Sequence, residues 1–286
     1  MRNAVVLVEG LAFPEGPTLL PNGDLLVVEI QGGRLTRVTS GGTKSTVAEL
    51  GGGPNGAAIG PDGAVYVCNN GGGEQGSEVG YSGGRIQRVD LATGAFESIY
   101  TECAGHALVA PNDLVFDEAG GFWFSDLGRR FGRMERPGGV YYAQPDGSSI
   151  EEISFPLNAN GVGLSPDRRT LYVAETVAGR LWSWPVVRPG CLGGERNLVV
   201  GLPGYQLFDS LAVEENGNVC VATLINGGIT VVTPEGKAEH VPVEGDPYVT
   251  NICFGGEDLR TAYITLSKTG RVLVCQWPRP GLRLAW

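Results

Sequence analysis

Histidine is almost missing from this chain: His106 and His240 are the two in 286 residues. A zinc site built on imidazoles has little to draw on, and a Ser-His-Asp triad is not expected. No window approaches 18 uncharged apolar residues, so neither a spanning segment nor a membrane partner is expected. The apolar run Val5 to Val8 is broken by Glu9 and does not read as a secretory signal. The six cysteines (Cys68, Cys103, Cys191, Cys220, Cys253 and Cys275) form no C-x-x-C pair. Free buried thiols in a reducing cytoplasm are the expectation. Basic charge is scarce too. Lys and Arg number 21 against 31 Asp and Glu, a net charge of −10. Such a chain repels phosphate backbones, so nucleic acid is not an expected partner.

Glycine and proline are plentiful instead. With 46 Gly and 18 Pro, 64 of 286 residues, or 22%, are turn formers. Many turns mean many short elements, which excludes a helical bundle. Hydrophobic residues make up 42% and charged residues 18%, enough apolar material for a core.

The chain repeats itself six times. The segments are EGPTLLPNGDLLVVEI from Glu15, NGAAIGPDGAVYVCNN from Asn55, NDLVFDEAGGFWFSDL from Asn112, NGVGLSPDRRTLYVAET from Asn160, DSLAVEENGNVCVATL from Asp209 and NICFGGEDLRTAYITLS from Asn251. Each runs from a polar residue through two short apolar stretches split by a turn, and ends on a second polar residue. The internal spacing is 14 positions, as in Glu15 to Glu29 and Asn112 to Asp126, with 15 for Asn160 to Glu175. The starts lie 40, 57, 48, 49 and 42 apart. Constant units joined by variable connections describe one supersecondary element copied six times.

The apolar stretches are β-rich and bounded by turn formers, so they read as strands. PNGD, PDGA and ENGN read as hairpin turns. A third strand follows near a glycine in each unit, as in GRLTRVT and GRIQRVD, and a fourth in most, as in KSTVAEL and AFESIYT. Four antiparallel strands per repeat of about 40–50 residues make a propeller blade. The expected fold is all-β: a six-bladed β-propeller filling residues 1–286 as one domain, with AVVLVEGL as the outer strand that closes the last blade. The C-terminal WPRPGLRLAW is expected to lie along the outside of that blade. Residues 70–83 and 126–138 are long strand-poor stretches, of the kind found at functional mouths.

In a propeller the innermost strands run the same way around a central channel. The residues that open them are Glu15, Asn55, Asn112, Asn160, Asp209 and Asn251. Asn and Asp also favour strand entries as turn caps. Turn capping would equally admit Ser, Gly and Pro, yet all six are carboxylate or carboxamide. A ring of hard oxygen ligands suits a hard divalent cation. One such ion in the channel is therefore expected, Ca2+ foremost, with Zn2+, Mn2+, Mg2+ and Fe2+ as alternatives.

FPEGP at 13–17, APND at 110–113, NGVGLSPD at 160–167 and DSLAV at 209–213 resemble the senescence marker protein 30, gluconolactonase and luciferin-regenerating enzyme family. FSDLGRR, GGVYYAQPDG and LYVAETVAGRL are similar to the staphylococcal drug-responsive lactonase of the same superfamily. The resemblance implies a six-bladed propeller with a divalent metal, and lactone hydrolysis by metal-activated water. It implies Glu15, Asn160 and Asp209 as metal ligands, Asp209 also as the proton-transfer residue, and Asn112 as a contact to metal or substrate. Ser210 matches a metal-contacting serine more weakly. Asn55 and Asn251 enter as substrate contacts on the phase of the repeat.

One departure bears on specificity. Sugar-acid lactonases of the animal type carry Arg two positions before the channel asparagine, where this chain has Ala110, which puts a charged or highly hydroxylated sugar in doubt. Arg129, Arg130 and Arg133 are candidates for gripping a substrate carboxylate. His106 is a further pocket candidate, as are Tyr205, Phe208, Tyr248, Asn69 and Asn70. The expected partner is a small molecule, and the chain a monomer or weak homodimer. Two other readings stay open: the same metal site used for phosphotriester hydrolysis or lyase-type proton transfer, and a binding propeller without catalysis.

Overall fold

Each repeat folds into one small antiparallel sheet, and the sheets form a six-bladed β-propeller. The computed structural model describes residues 2–74 and 76–286. From the axis outward, blade 1 holds Pro14–Leu19, Leu25–Glu29, Arg34–Val38 and Lys44–Glu49. Blade 2 holds Pro54–Ile59, Val65–Asn69, Arg85–Val89 and Phe96–Tyr100, and blade 3 holds Pro111–Phe116, Phe122–Asp126, Val140–Ala143 and Ile150–Ser154. Blade 4 follows with Ala159–Leu164, Thr170–Glu175, Arg180–Arg188 and Asn197–Gly201. Blade 5 is Leu207–Val213, Val219–Leu224, Gly228–Val232 and Ala238–Pro242. Blade 6 is Val249–Gly255, Thr261–Leu266, Arg271–Gln276 and then Arg2–Val8. Pairing of Arg2–Val8 with Arg271–Gln276 closes the ring, as the N-terminal apolar run predicted. Each innermost strand touches those of both neighbouring blades around the full circle. Among the described residues no helix is long and apolar enough to cross a membrane.

Burial follows strand position. The second strands of blades 1, 2 and 3 are buried along their whole length, because both faces pack against adjoining blades. They accordingly read as unbroken apolar runs, whereas outermost strands such as Lys44–Glu49 alternate weakly and carry charge toward solvent. The core consists of inter-blade layers. Between blades 2 and 3 it is aromatic: Tyr66, Phe116, Phe122, Phe124 and Tyr141 interlock, with Phe124 stacked on Tyr141 at 5.0 Å. Cys68, Cys103, Cys191, Cys220 and Cys253 are free thiols, and Cys68, Cys103, Cys220 and Cys275 are buried.

The C-terminal segment departs from expectation. It does not follow the outside of blade 6 but crosses the face at which the innermost strands end. Gly281 N donates to Leu259 O in blade 6, and Leu282 N to Val213 O in blade 5. Arg168 of blade 4 donates to Arg283 O, and Trp286 Nε1 to Asp117 O of blade 3. Its anchor is Glu214, fully buried, which accepts from Trp277 Nε1 at 2.7 Å and Arg279 Nε at 2.5 Å. A buried carboxylate needs such partners, and the tail supplies them.

Candidate active site at the mouth of the central channel

A register shift lies at or beside the ring residue in every innermost strand: between Glu15 and Thr18, Pro54 and Ala57, Pro111 and Leu114, Ala159 and Val162, Phe208 and Leu211, and Val249 and Asn251. Such bulges suspend the in-out alternation of a strand and re-aim side chains. Glycine follows the ring position in blades 1, 2 and 4, where neighbouring backbones come close. A Cβ on Gly16 would meet Asn55 O at 2.6 Å, and one on Gly161 would meet Leu211 N at 2.6 Å.

All six predicted ring residues are buried: Glu15, Asn55, Asn112, Asn160, Asp209 and Asn251. Asn251 Nδ2 donates to Glu15 Oε2 at 2.7 Å, and Gly16 N donates to the same oxygen at 2.7 Å. Asn160 Nδ2 donates to Thr176 Oγ1 at 3.0 Å, which turns its carbonyl oxygen away from that bond. Asn160 Oδ1, Asn112 Oδ1 and Ser210 Oγ are buried without a hydrogen-bond partner. Orphaned buried oxygens are rare and costly. Three of them on ring residues or the residue next to one fit a cation that would complete their coordination. Among the described residues no three His, Cys, Asp or Glu side chains form a metal cluster by themselves. The donor set is mixed, with carboxamide and hydroxyl oxygens beside carboxylates, which is the chemistry of a hard ion.

Asp113 was not among the expected residues. Strict alternation puts it opposite Asn112, but the bulge brings it inward and buries it. Burial, then the charge of Glu15, pushes its carboxyl up to about 8. Burial likewise raises Glu15 to about 7, partly offset by the Asn251 amide and Gly16 N–H. Asp209 is driven well above the usual carboxylate range by burial, then by Glu15 and Asp113, with the Asn160 side chain offsetting part of it. Glu15 thus raises Asp113, and both raise Asp209, which puts the three carboxyl groups close together in a dry place. The sequence signal for Asp113 was the doublet Asn-Asp at a blade start.

The polar residue 14 positions on has a different job. Asp126 accepts from Val109 N, Ala110 N and Gly128 N at 2.7–2.8 Å. Asn69 Oδ1 accepts from Gly53 N and Gly71 N, and Glu29 from Ala12 N, Arg34 and Thr36. In blades 1, 2 and 3 these side chains fix the loop that enters the innermost strand. Ala110 is buried and held this way.

The outlying candidates divide. Arg129 does not offer its fork to a ligand: Nη1 donates to Gly72 O at 2.5 Å and Nη2 to Glu74 O at 2.6 Å, with the guanidinium over the Tyr81 and Phe131 rings. It ties the 70–83 loop of blade 2 to the hairpin Gly128–Phe131 and Met134–Pro137 of blade 3. Arg130 Nε donates to Gly132 O, and Arg130 and Arg133 are exposed. His106 is exposed on a hairpin whose Cys103 contacts Ile150 in the outermost strand of blade 3, so it is not gathered with the ring. Phe208 is packing between blades 4 and 5, and Tyr205 is 73% exposed. Asn70 Oδ1 accepts from Gly72 N within its own loop. Tyr248 lines a cleft between blades 6 and 1. Gly80 to Gly84 reads Gly-Tyr-Ser-Gly-Gly, the spacing of a nucleophile elbow. Ser82 there sits in irregular chain, bonded to Gly71 O and Arg85, and lacks the strand-turn-helix setting and histidine that such chemistry needs.

Residues 13–268 match the SMP-30/Gluconolactonase/LRE-like region. The lactonase drp35 of Staphylococcus saprophyticus is 32% identical over 235 residues, covering 80% of this chain and 67% of that protein. A gluconolactonase of Xanthomonas campestris superposes with a TM-score of 0.79 at 23% identity, over 96% of this chain and 89% of that one. A calcium-binding regucalcin of Agrobacterium tumefaciens superposes at 0.75 and 19% identity, over 98% and 97%. With four motifs at four blade starts and a match across the whole ring, the chain belongs to the SMP-30/gluconolactonase/LRE-like family.

Proposed function

We propose that this protein is a divalent-metal-dependent lactonase that opens a small lactone at the channel mouth. The observation that carries the reading is the set of orphaned oxygens, Asn112 Oδ1, Asn160 Oδ1 and Ser210 Oγ, beside Glu15 and Asp209. These five residues would hold the ion, Ca2+ foremost. When bound, such an ion supplies Lewis acidity toward a carbonyl oxygen. Asp209 accepts the proton of the attacking water and returns it to the leaving alkoxide. Its place beside Asn160 and Ser210 at the channel mouth puts a carboxylate where the attacking water would stand. Asn112 donates from its amide to a lactone oxygen and sets the ring's orientation. The buried walls keep bulk water from competing for the carboxylates.

The test is lactone hydrolysis after EDTA treatment, with Ca2+, Mn2+, Zn2+, Mg2+ and Fe2+ added back. Turnover restored by metal is the expected result. An enzyme fully active in EDTA, or one inert toward aldonolactones and simple lactones with every metal, would sink the reading.

A further inference from the structure

We propose that the cleft between blades 6 and 1 is a substrate subsite for a carboxylate-bearing substituent, with Lys268 as counter-charge and Phe13 and Tyr248 as walls. The proposal rests on the lactonase reading and adds to it the class of lactone.

The cleft encloses about 310 Å³, and Phe13, Gln31, Tyr248, Ser267 and Lys268 line it. It lies on the same face as the ring. Lys268 follows the second strand of blade 6, and Gln31 follows that of blade 1. In antiparallel blades both therefore stand where the innermost strands begin. Chain connectivity sets it beside the ring: Phe13 is two residues before Glu15, and Tyr248 three before Asn251. Ser267 forms the link. Its Oγ donates to Pro14 O at 2.6 Å and pairs closely with Thr250 Oγ1, next to Asn251.

The walls are built rigidly. Asp246, buried, accepts from Tyr248 N at 2.7 Å and from Thr269 N and Oγ1, both at 2.7 Å. Ser267 N donates to Tyr248 O at 2.9 Å. Phe13 has φ +62°, a backbone state that costs any residue with a Cβ. It is held there by Ile30 N donating to its carbonyl and by Glu29 accepting from Ala12 N. Strain kept in place by the surrounding structure is characteristic of functional sites. The result brings the Phe13 ring to 6.4 Å from Tyr248.

Lys268 sets the ligand class. It is exposed, lies 5.7 Å over the Tyr248 ring, and makes no ion pair or hydrogen bond among the described residues. On a chain of net charge −10, an unpaired ammonium beside a buried carboxylate ring is a local exception. The contacting pair of aromatics offers one apolar flank for a substituent, and an anion beyond it meets the ammonium. Arg129, the other cation considered for this task, is already engaged by carbonyls.

Two lactones that differ only in a terminal carboxylate or its neutral amide provide the test. The ratio of their kcat/KM values is expected to fall about tenfold in Lys268→Met, through KM, and to recover in Lys268→Arg. Lys237→Met, an exposed cation on the opposite face, should leave the ratio where it was. An unchanged ratio in an active Lys268→Met enzyme overturns the subsite. Calorimetric binding of the ring-opened hydroxy dicarboxylate separates the two readings. Binding weakened about tenfold by Lys268→Met upholds the subsite even without turnover. No binding by the unsubstituted protein, or equal binding by both, rejects it.

Discussion

Over blades 2 and 3 the face at which the innermost strands begin carries two long loops, and its cation is already engaged. The 70–83 loop and the 128–137 hairpin are drawn together by Arg129, whose two terminal nitrogens each donate to a carbonyl and whose guanidinium lies over two aromatic rings. Over blades 6 and 1 there are no such loops among the described residues. The turns there are short, and the ammonium of Lys268 faces a cleft instead of a carbonyl. In sequence the two cations look alike, each just past the second strand of its blade. What separates them is whether a neighbouring loop is long enough to bring acceptors. A basic residue near a site is thus a ligand contact only if its donors are free.

Both sides serve one ring, so the largest effect is expected there. Asp209→Asn should lower kcat at least about 1,000-fold in a lactone assay while the thermal melt holds or rises, because a buried carboxyl leaves a crowded group. Next is the packing on the looped side. Phe122→Ala empties the aromatic layer between blades 2 and 3 and should cost about 3–5 kcal/mol in urea unfolding.

The ring should also show in a pH series without metal. Glu15 rises from 4.5 to about 7 and Asp113 from 3.8 to about 8 in the folded state. Folded protein then holds protons that unfolded chain has already lost. The contribution of these two groups is full below about pH 4 and is lost as pH rises through 7 and 8. EDTA-treated protein should melt lower at pH 8 than at pH 5, and added Ca2+ should recover more at pH 8. A flat melting profile would contradict the crowded ring. The smallest effect belongs to the looped side's clasp. Arg129→Met should cost about 1–2 kcal/mol and speed hydrogen exchange in 70–83 and 128–137, with no comparable change around Tyr248.

The ring was legible because its spacing is fixed by the hairpin: 14 positions separate Glu15 from Glu29 and Asn112 from Asp126. The closing strand Arg2–Val8 was legible as an apolar run with no repeat of its own. Asp113 was not, since a bulge breaks the alternation on which such counting depends. Nor was the division of labour within each pair, where Glu15 enters the channel and Glu29 fixes a loop. The C-terminal crossing escaped because its anchor, Glu214, lies more than 60 positions from Trp277 and Arg279. The role of Arg129 escaped because its partners are carbonyls of a glycine-rich loop, which no side-chain pattern records.

The closing strand has a consequence for how the molecule is made. Arg2–Val8 leaves the ribosome long before the strand it pairs with, Arg271–Gln276. Five blades can condense from local hairpins while the sixth waits for its edge. Joining ends nearly the whole chain apart brings a large loop-closure entropy, so ring closure is expected to be the slow step of refolding. Until then blade 6 presents the bare edge of Arg271–Gln276, and a second nascent chain could supply the missing strand in place of its own.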